Sequence, residues 1–301
     1  MPLWSSRNQA TSGTPLFTIA LSGSSLTPVS TGTTDVWGLS VTADFKTVVY
    51  VSNGEVWAVS PAGGTPTQLT QNNANNAWSN TARVSPNGQK IVYPVFSNST
   101  DDANIWIMNV DGSGSTNLTS TLPTGMESCN VASFSADSSQ IVFACNGNSG
   151  FGIYTMKIGG TQTATVLTQS SELDAPFFAP NGKQILFTTW GAPGVALAHK
   201  ISLTVFRGKG PHASPDGIPE PPSNSGIASV NLDGSSPILV LPATTNLILD
   251  SEVLNSNLYY TAFDSTNDLW QIFKANLDGS GAASISDGTA NDELGVCGYC
   301  D

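Results

Sequence analysis

Short apolar runs rich in β-branched and aromatic residues recur along the chain, each bounded by polar turns. The stretch 83–119 shows the pattern most plainly. Ile91-Val92-Tyr93 and Asn104-Ile105-Trp106-Ile107-Met108 read as strands, and Asn117-Leu118-Thr119 starts a third. Ser85-Pro86-Asn87-Gly88 reads as a tight turn, with Pro presetting one dihedral and Gly free to take positive φ. Asp111-Gly112-Ser113-Gly114 closes the second hairpin.

The unit returns about every 45 residues, a period within the range of propeller blades. Its second strand appears as Val48-Val49-Tyr50, Ile91-Val92-Tyr93, Ile141-Val142-Phe143, Ile185-Leu186-Phe187 and Leu258-Tyr259-Tyr260. Its third appears from Val56-Trp57-Ala58-Val59 through Ile272-Phe273-Lys274-Ala275, each followed by a Gly-rich turn. Outer strands follow, among them Gln68-Leu69-Thr70 and Val166-Leu167-Thr168. Near the N-terminus Leu3-Trp4, Leu16-Phe17-Thr18-Ile19 and Leu26-Thr27-Pro28-Val29 fit a second, third and outer strand without a first. Residues 291–301 supply a first strand without a second. The expected fold is all-β: a six-bladed β-propeller of four-stranded antiparallel blades, spanning 1–301 as one domain. The C-terminal strand joins the N-terminal blade and closes the ring, which leaves few exposed edges.

The Ser-Pro-Asn-Gly turn, the apolar-aromatic second strand, and Ile-Trp-Ile-Met-Asn-Val-Asp-Gly followed by Leu-Thr resemble the repeats of TolB-like six-bladed propellers. The resemblance covers nearly the whole chain. It implies the fold; such propellers include binding scaffolds, peptidase domains, lyases and secreted fungal proteins. Ala43-Asp44-Phe45, Ala136-Asp137-Ser138 and Asn255-Ser256-Asn257 depart from the family's Pro-Asp-Gly turn, so these turns are expected to differ in detail.

Composition narrows the partners. Charged residues make up 11%, against roughly 25% in typical soluble domains, so Ser, Thr and Asn must supply solubility. With a net charge of −12 and ten scattered basic residues, nucleic acid is excluded as a partner, because a phosphate-binding surface needs clustered Lys and Arg. No apolar run reaches the roughly 18 residues of a membrane span. The chain opens with Met1-Pro2-Leu3-Trp4, already a blade strand, and a leader removed from it is the hypothesis consistent with secretion.

Cys129 and Cys145 flank one hairpin and fall roughly opposite each other when counted outward from its turn, so a cross-strand disulfide is geometrically reasonable. Cys297 and Cys300 form Cys-Gly-Tyr-Cys, read as a structural disulfide or two free thiols rather than a redox pair, because no βαβ setting surrounds them. Four cysteines and two sequons, at Asn98 and Asn117, point to a secreted glycoprotein.

An insertion at about 191–226 interrupts one blade and carries both histidines, His199 and His212. Residues leading the inner strands carry Asp35, Asn80, Glu127, Asn130, Glu172, Asp174, Asp250, Glu252, Asp292 and Glu293, which would converge on one channel mouth. Oxygen-rich ligation or a cationic ligand would suit them, as would plain solvation; no metal site or cofactor is expected. Candidate catalytic groups are Asp174, Glu127, His199 and His212. Candidate binding residues are Trp37, Trp78, Asn80, Asn130, Phe177, Trp190 and Tyr299, with Trp37 and Trp78 the better candidates for exposure.

Gly-x-Ser-x-Gly and His-Glu-x-x-His are absent. Two readings follow. One is a cofactor-free enzyme at the mouth that promotes cyclisation, cycloaddition or elimination by holding a reactive small molecule in place. Pericyclase-type enzymes of fungal natural-product pathways are the architectural likeness for it. The other is a non-catalytic propeller that binds a small molecule, glycan or protein.

Overall fold

A computed structural model of the chain describes residues 3–7, 16–19, 26–29, 36–121, 125–147, 150–159, 165–170, 173–179, 181–190, 225–235, 238–244, 248–254, 257–264, 269–285 and 291–295. The architecture is an all-β propeller of antiparallel sheets. Among the described residues the one helical element is a 3-10 turn at Asn73–Asn75.

Five blades are built from unbroken stretches of chain. Blade 1 has Trp37–Val41 innermost, then Val48–Ser52, Glu55–Val59 and Thr67–Gln68. Blade 2 splits its inner strand into Ala77–Trp78 and Arg83–Val84, followed by Lys90–Ser97, Ala103–Asn109 and Thr116–Asn117. Blade 3 runs Ser128–Phe134, Gln140–Gly147, Gly150–Lys157, Thr165–Ser170. Blade 4 runs Leu173–Phe178, Gln184–Trp190, Ser225–Asn231, Ile238–Thr244. Blade 5 runs Ile248–Leu254, Asn257–Asp264, Leu269–Asn276, Ala283–Ser284. The expected count of six is thus five by contiguous chain. The two ends of the chain share a further sheet, in which Asn291–Gly295 pairs with Leu3–Arg7, Trp4 opposite Leu294, and Leu16–Ile19 and Leu26–Val29 follow outward. Asn291–Gly295 lies beside strands of blade 5 and beside the inner strand of blade 1.

The middle of each second strand is a continuous apolar run because both faces of each blade are covered there. Alternate side chains go to opposite neighbours. Ile91 and Tyr93 pack with Val49, Val51 and Val56 of blade 1, whereas Val92 packs with Phe134, Ile141 and Phe143 of blade 3. Val142 joins Phe178, Ile185 and Phe187 of blade 4. The core is therefore a series of seams between blades.

The turns from inner to second strand in blades 1, 2 and 3 keep one hydrogen-bond set despite their different sequences, and blade 4, with Ala179 in place of the hydroxyl residue, keeps only the bond to the Asn181 amide oxygen. Ser85 Oγ donates to Asn87 Oδ1 (2.7 Å), which also accepts from Gln89 N (3.1 Å), while Lys90 N donates to Ser85 Oγ (2.9 Å). Thr42 with Asp44, and Ser135 with Asp137, repeat the set. Gly88 takes φ +70° there, and Phe45 and Ser138 take +55° and +59° at the same place. In the turns at Asp44 and Asp137 the expected difference in detail is confined to residue type, the left-handed conformation being kept even where a side chain disfavours it, while Asn255 and Ser256 of the third such turn lie outside the described residues.

The turns after the third strands share the sequence Asn-x-Asp-Gly-Ser in blades 2, 4 and 5. Asp111 Oδ1 accepts from Ser113 N (2.9 Å) and Ser113 Oγ (2.6 Å), and Asp233 and Asp278 accept from Ser235 and Ser280 at the same distances. The serine hydroxyl first, then the backbone N–H, holds each carboxyl below its ordinary 3.8. Asp44 and Asp137 are lowered likewise, chiefly by Thr42 and Ser135. A carboxylate whose folded pKa lies below its unfolded one contributes stability above the unfolded value, and the contribution is lost as pH falls through the folded value. The melting temperature should therefore hold down to about pH 5 and decline below about pH 4. Combining Asp111→Asn, Asp233→Asn and Asp278→Asn should flatten that acid limb in thermal melts; an unchanged limb would show that these turns do not supply it.

Candidate functional site at the entry of the inner strands

Antiparallel pairing puts the linkers into the inner strands and the second-to-third hairpins at one end of every blade. The Asp-capped turns lie at the other end. In blade 4, Leu173 pairs with Thr189 and Trp190 with Ser225, so the segment 191–224 leaves from the entry end. Ser225 and Gly226, at the end of the expected insertion at about 191–226, are paired in the third strand.

Each inner strand of the five blades carries one more residue than its partner near this end. The register shifts between Trp37 and Ser40, Asn130 and Ala132, Asp174 and Phe177, and Ile248 and Asp250. In blade 2 the residues 79–82 face 93–95 between the pairs Trp78–Phe96 and Arg83–Val92. Such bulges bend a strand and re-aim its side chains, and they are common beside binding sites. Val131 takes φ +41° at one of them, a rare conformation for a β-branched residue.

The shared pairing sets a level. Trp37 lies opposite Val51, Asn130 opposite Ala144, Asp174 opposite Thr188, Asp250 opposite Thr261 and Glu293 opposite Ser5. In blades 1, 3, 4 and 5 the opposing residue is the one that directly follows the three-residue second-strand signature. Asn80 falls at the matching place in the split strand of blade 2. For Trp37, Asp174, Trp190, Asp250, Asp292 and Glu293 the backbone register alone is described. The level is divided: Asp174, Asp250 and Glu293 follow one another through blade 4, blade 5 and the terminal sheet, while Trp37, Asn80 and Asn130 occupy blades 1 to 3.

Asn80 adds a specific feature. Its Oδ1 is shielded from solvent and, among the described residues, accepts no hydrogen bond. A buried amide oxygen without a donor costs about 1–3 kcal/mol, so it is an acceptor awaiting water or a ligand N–H or O–H. Asn130 is half-buried beside it in blade 3, next to the Cys129–Cys145 disulfide, whose cysteines pair directly across the hairpin as expected and are fully buried.

Other expected site residues land elsewhere. Trp78 is 5% exposed and stacks on Phe96 with ring centroids 4.3 Å apart, so it is a blade-core residue rather than an exposed binding surface. Phe177 is buried in the seam between blades 4 and 5 with Leu186, Val253 and Tyr260. Trp78 is thus buried where the sequence suggested exposure, because the alternation of a bulged strand cannot be counted from sequence. Glu252 pairs with Tyr259 near the opposite end of its strand, so it is removed from the mouth. Glu127 is exposed just ahead of its inner strand, its N–H bonded to Asn146 O (2.9 Å). Asp35, Glu172, His199, His212, Tyr299, Cys297 and Cys300 lie outside the described residues. Among the described residues no group of three or more His, Cys, Asp or Glu is placed to hold a metal ion. Phenols in the seams are poor acid–base candidates: burial pushes Tyr50 up to about 12 and also raises Tyr93 and Tyr260.

One carboxylate escaped the sequence reading. Glu55, at the head of a third strand, is 4% exposed. Its Oε2 accepts from Thr70 Oγ1 (2.6 Å) and Asn72 N (2.8 Å), and its Oε1 from Asn73 N (2.8 Å). Asn72 Nδ2 donates to Ser79 Oγ (2.9 Å), which donates to Pro94 O (2.6 Å). This network fixes the linker that delivers Asn80. The signal available in sequence was the recurrent Leu-Thr: in blade 2, Thr119 Oγ1 likewise accepts from Ile105 N (2.9 Å) and donates to Asn104 Oδ1 (3.2 Å).

No family model matches the sequence. No curated protein matches it significantly either. Solved structures do match. A protein assigned as TolB from Agrobacterium tumefaciens is 17% identical with a TM-score of 0.64, over 99% of this chain and 91% of that one. TolB from Acinetobacter baumannii is 14% identical with a TM-score of 0.70, over 97% and 64%. An oligogalacturonate lyase in complex with manganese is 12% identical with a TM-score of 0.60, over 91% and 71%. At these identities the likeness shows the fold alone, a TolB-like β-propeller.

Proposed function

We propose that this chain is a secreted, disulfide-bonded propeller that binds a small ligand bearing a cationic group and hydrogen-bond donors, at the level where its inner strands begin. The terminal sheet takes the place between blades 5 and 1 and closes the ring, supported by the pairing of Asn291–Gly295 with Leu3–Arg7 and its position beside both blades. The observation that carries the reading is the shared register of Asp174, Asp250 and Glu293 with Asn130 and with Asn80, whose Oδ1 lacks a donor. Carboxylates attract a cation, and the amide oxygen accepts from an N–H or O–H.

Binding takes precedence over the cofactor-free cyclase or lyase reading, because Trp78 and Phe177 lie in blade cores rather than walling an apolar pocket. The likeness to oligogalacturonate lyase keeps turnover as an outcome to be tested. A panel of organic amines, amino sugars and neutral oligosaccharides should be scanned by thermal shift and calorimetry. An amine should bind the wild type, and Asp174→Asn with Asp250→Asn should weaken it about tenfold, from roughly 0.7 kcal/mol per lost charge pair. Binding of neutral sugars alone, equal in the variant, would overturn the cationic ligand. A new mass among incubated compounds would restore the enzyme.

A further inference from the structure

We infer that of the two sequons Asn98 is the one that carries an N-glycan, and that Asn117 stays bare. This is independent of the ligand proposed above.

Asn98, Ser99 and Thr100 are all exposed, at the tip of the hairpin between the second and third strands of blade 2. The loop is closed beneath them by Ser97 N to Asp102 O and Asp101 N to Ser97 O, both 2.9 Å. Asn98 Nδ2 donates to Asn76 Oδ1 at 3.3 Å, and both groups are exposed. Losing that bond to a sugar costs little where water can replace it. The sequon is open whether or not the blade has formed.

Asn117 is different. It sits on the outer strand opposite Trp106, and its Oδ1 accepts from Thr119 N (2.9 Å). Thr119, whose hydroxyl completes the sequon, is 0% exposed. That hydroxyl is engaged on both sides, by Ile105 N and Asn104 Oδ1. The partners are local in sequence, so the clamp forms with the blade's own hairpin and withdraws the sequon early. In the transfer step, a bond forms between the Asn amide nitrogen and C1 of a lipid-diphosphate-linked oligosaccharide. The C1–phosphate bond breaks, the nitrogen loses a proton, and the lipid diphosphate departs. Thr100 Oγ1 accepts from Asp102 N at 3.3 Å but is exposed and keeps its proton free, so of the two sequons Asn98 offers its amide and an accessible hydroxyl together.

The full chain, secreted from a eukaryotic host, should carry one glycan by intact mass. Enzymatic deglycosylation in heavy-oxygen water should label Asn98 and not Asn117. Asn98→Gln and, separately, Thr100→Ala should each abolish the glycan, while Asn117→Gln should keep it. Label at Asn117, at both sites, or at neither in secreted folded protein would overturn the assignment.

Discussion

Replacing Gly38 with alanine should lower the melting temperature by roughly 5 °C, from a loss of about 3 kcal/mol. Gly38 sits in the bulge that follows Trp37, with φ +55°. A Cβ there would lie 2.6 Å from Thr81 Cα and 3.0 Å from Asn80 O, backbone atoms of the neighbouring inner strand. A rotamer change cannot relieve such a clash, so two inner strands must move apart. Gly182→Ala is the control. Its φ is +61°, but a Cβ would meet nothing within 4 Å. It should cost only the left-handed penalty, about 1 kcal/mol. Equal melting temperatures for the two variants would show that close approach of blades 1 and 2 is not what the glycine serves. Because Asn80 is displaced only by Gly38→Ala, that variant alone should also weaken the ligand.

The second large effect concerns Glu55. Glu55→Ala should cost about 3 kcal/mol, because it strands two buried donors, Thr70 Oγ1 and Asn72 N, and the part-buried Asn73 N at once. Glu55→Gln keeps one carbonyl oxygen and should cost about 1–2 kcal/mol. Hydrogen exchange should show the Asn72 and Asn73 amides losing protection in both variants, more in the alanine. A Glu55→Ala protein that melts like the wild type would mean that water satisfies these donors and the network is not structural. Asn104→Ala, which removes the matching acceptor of Thr119 in blade 2 but leaves no backbone donor unpaired, should be milder than Glu55→Ala.

Much of the fold could be read before any coordinates. Continuous apolar runs such as Ile91-Val92-Tyr93 announce strands covered on both faces. The Ser-x-Asn and Asn-x-Asp-Gly-Ser turns close on themselves through bonds spanning two to five residues. Even the Cys129–Cys145 pair follows from counting outward from one turn. These features are local, so residue type and spacing decide them.

What the tertiary structure decided is everything that depends on a neighbouring blade. One extra residue in each inner strand reverses the alternation partway along. Sequence grouped Asn80, Asn130, Asp174, Asp250 and Glu293 at one end of the inner strands, but it could not say that Trp78 stacks on Phe96 and Phe177 enters a seam, or that Glu252 falls toward the far end of its strand. Nor could it say that Glu55 is a buried anchor, since its partners lie 15 to 18 residues on and arrive only when the linker folds back. Turn chemistry is fixed within a few residues, but the burial of a side chain is fixed by whatever packs against it.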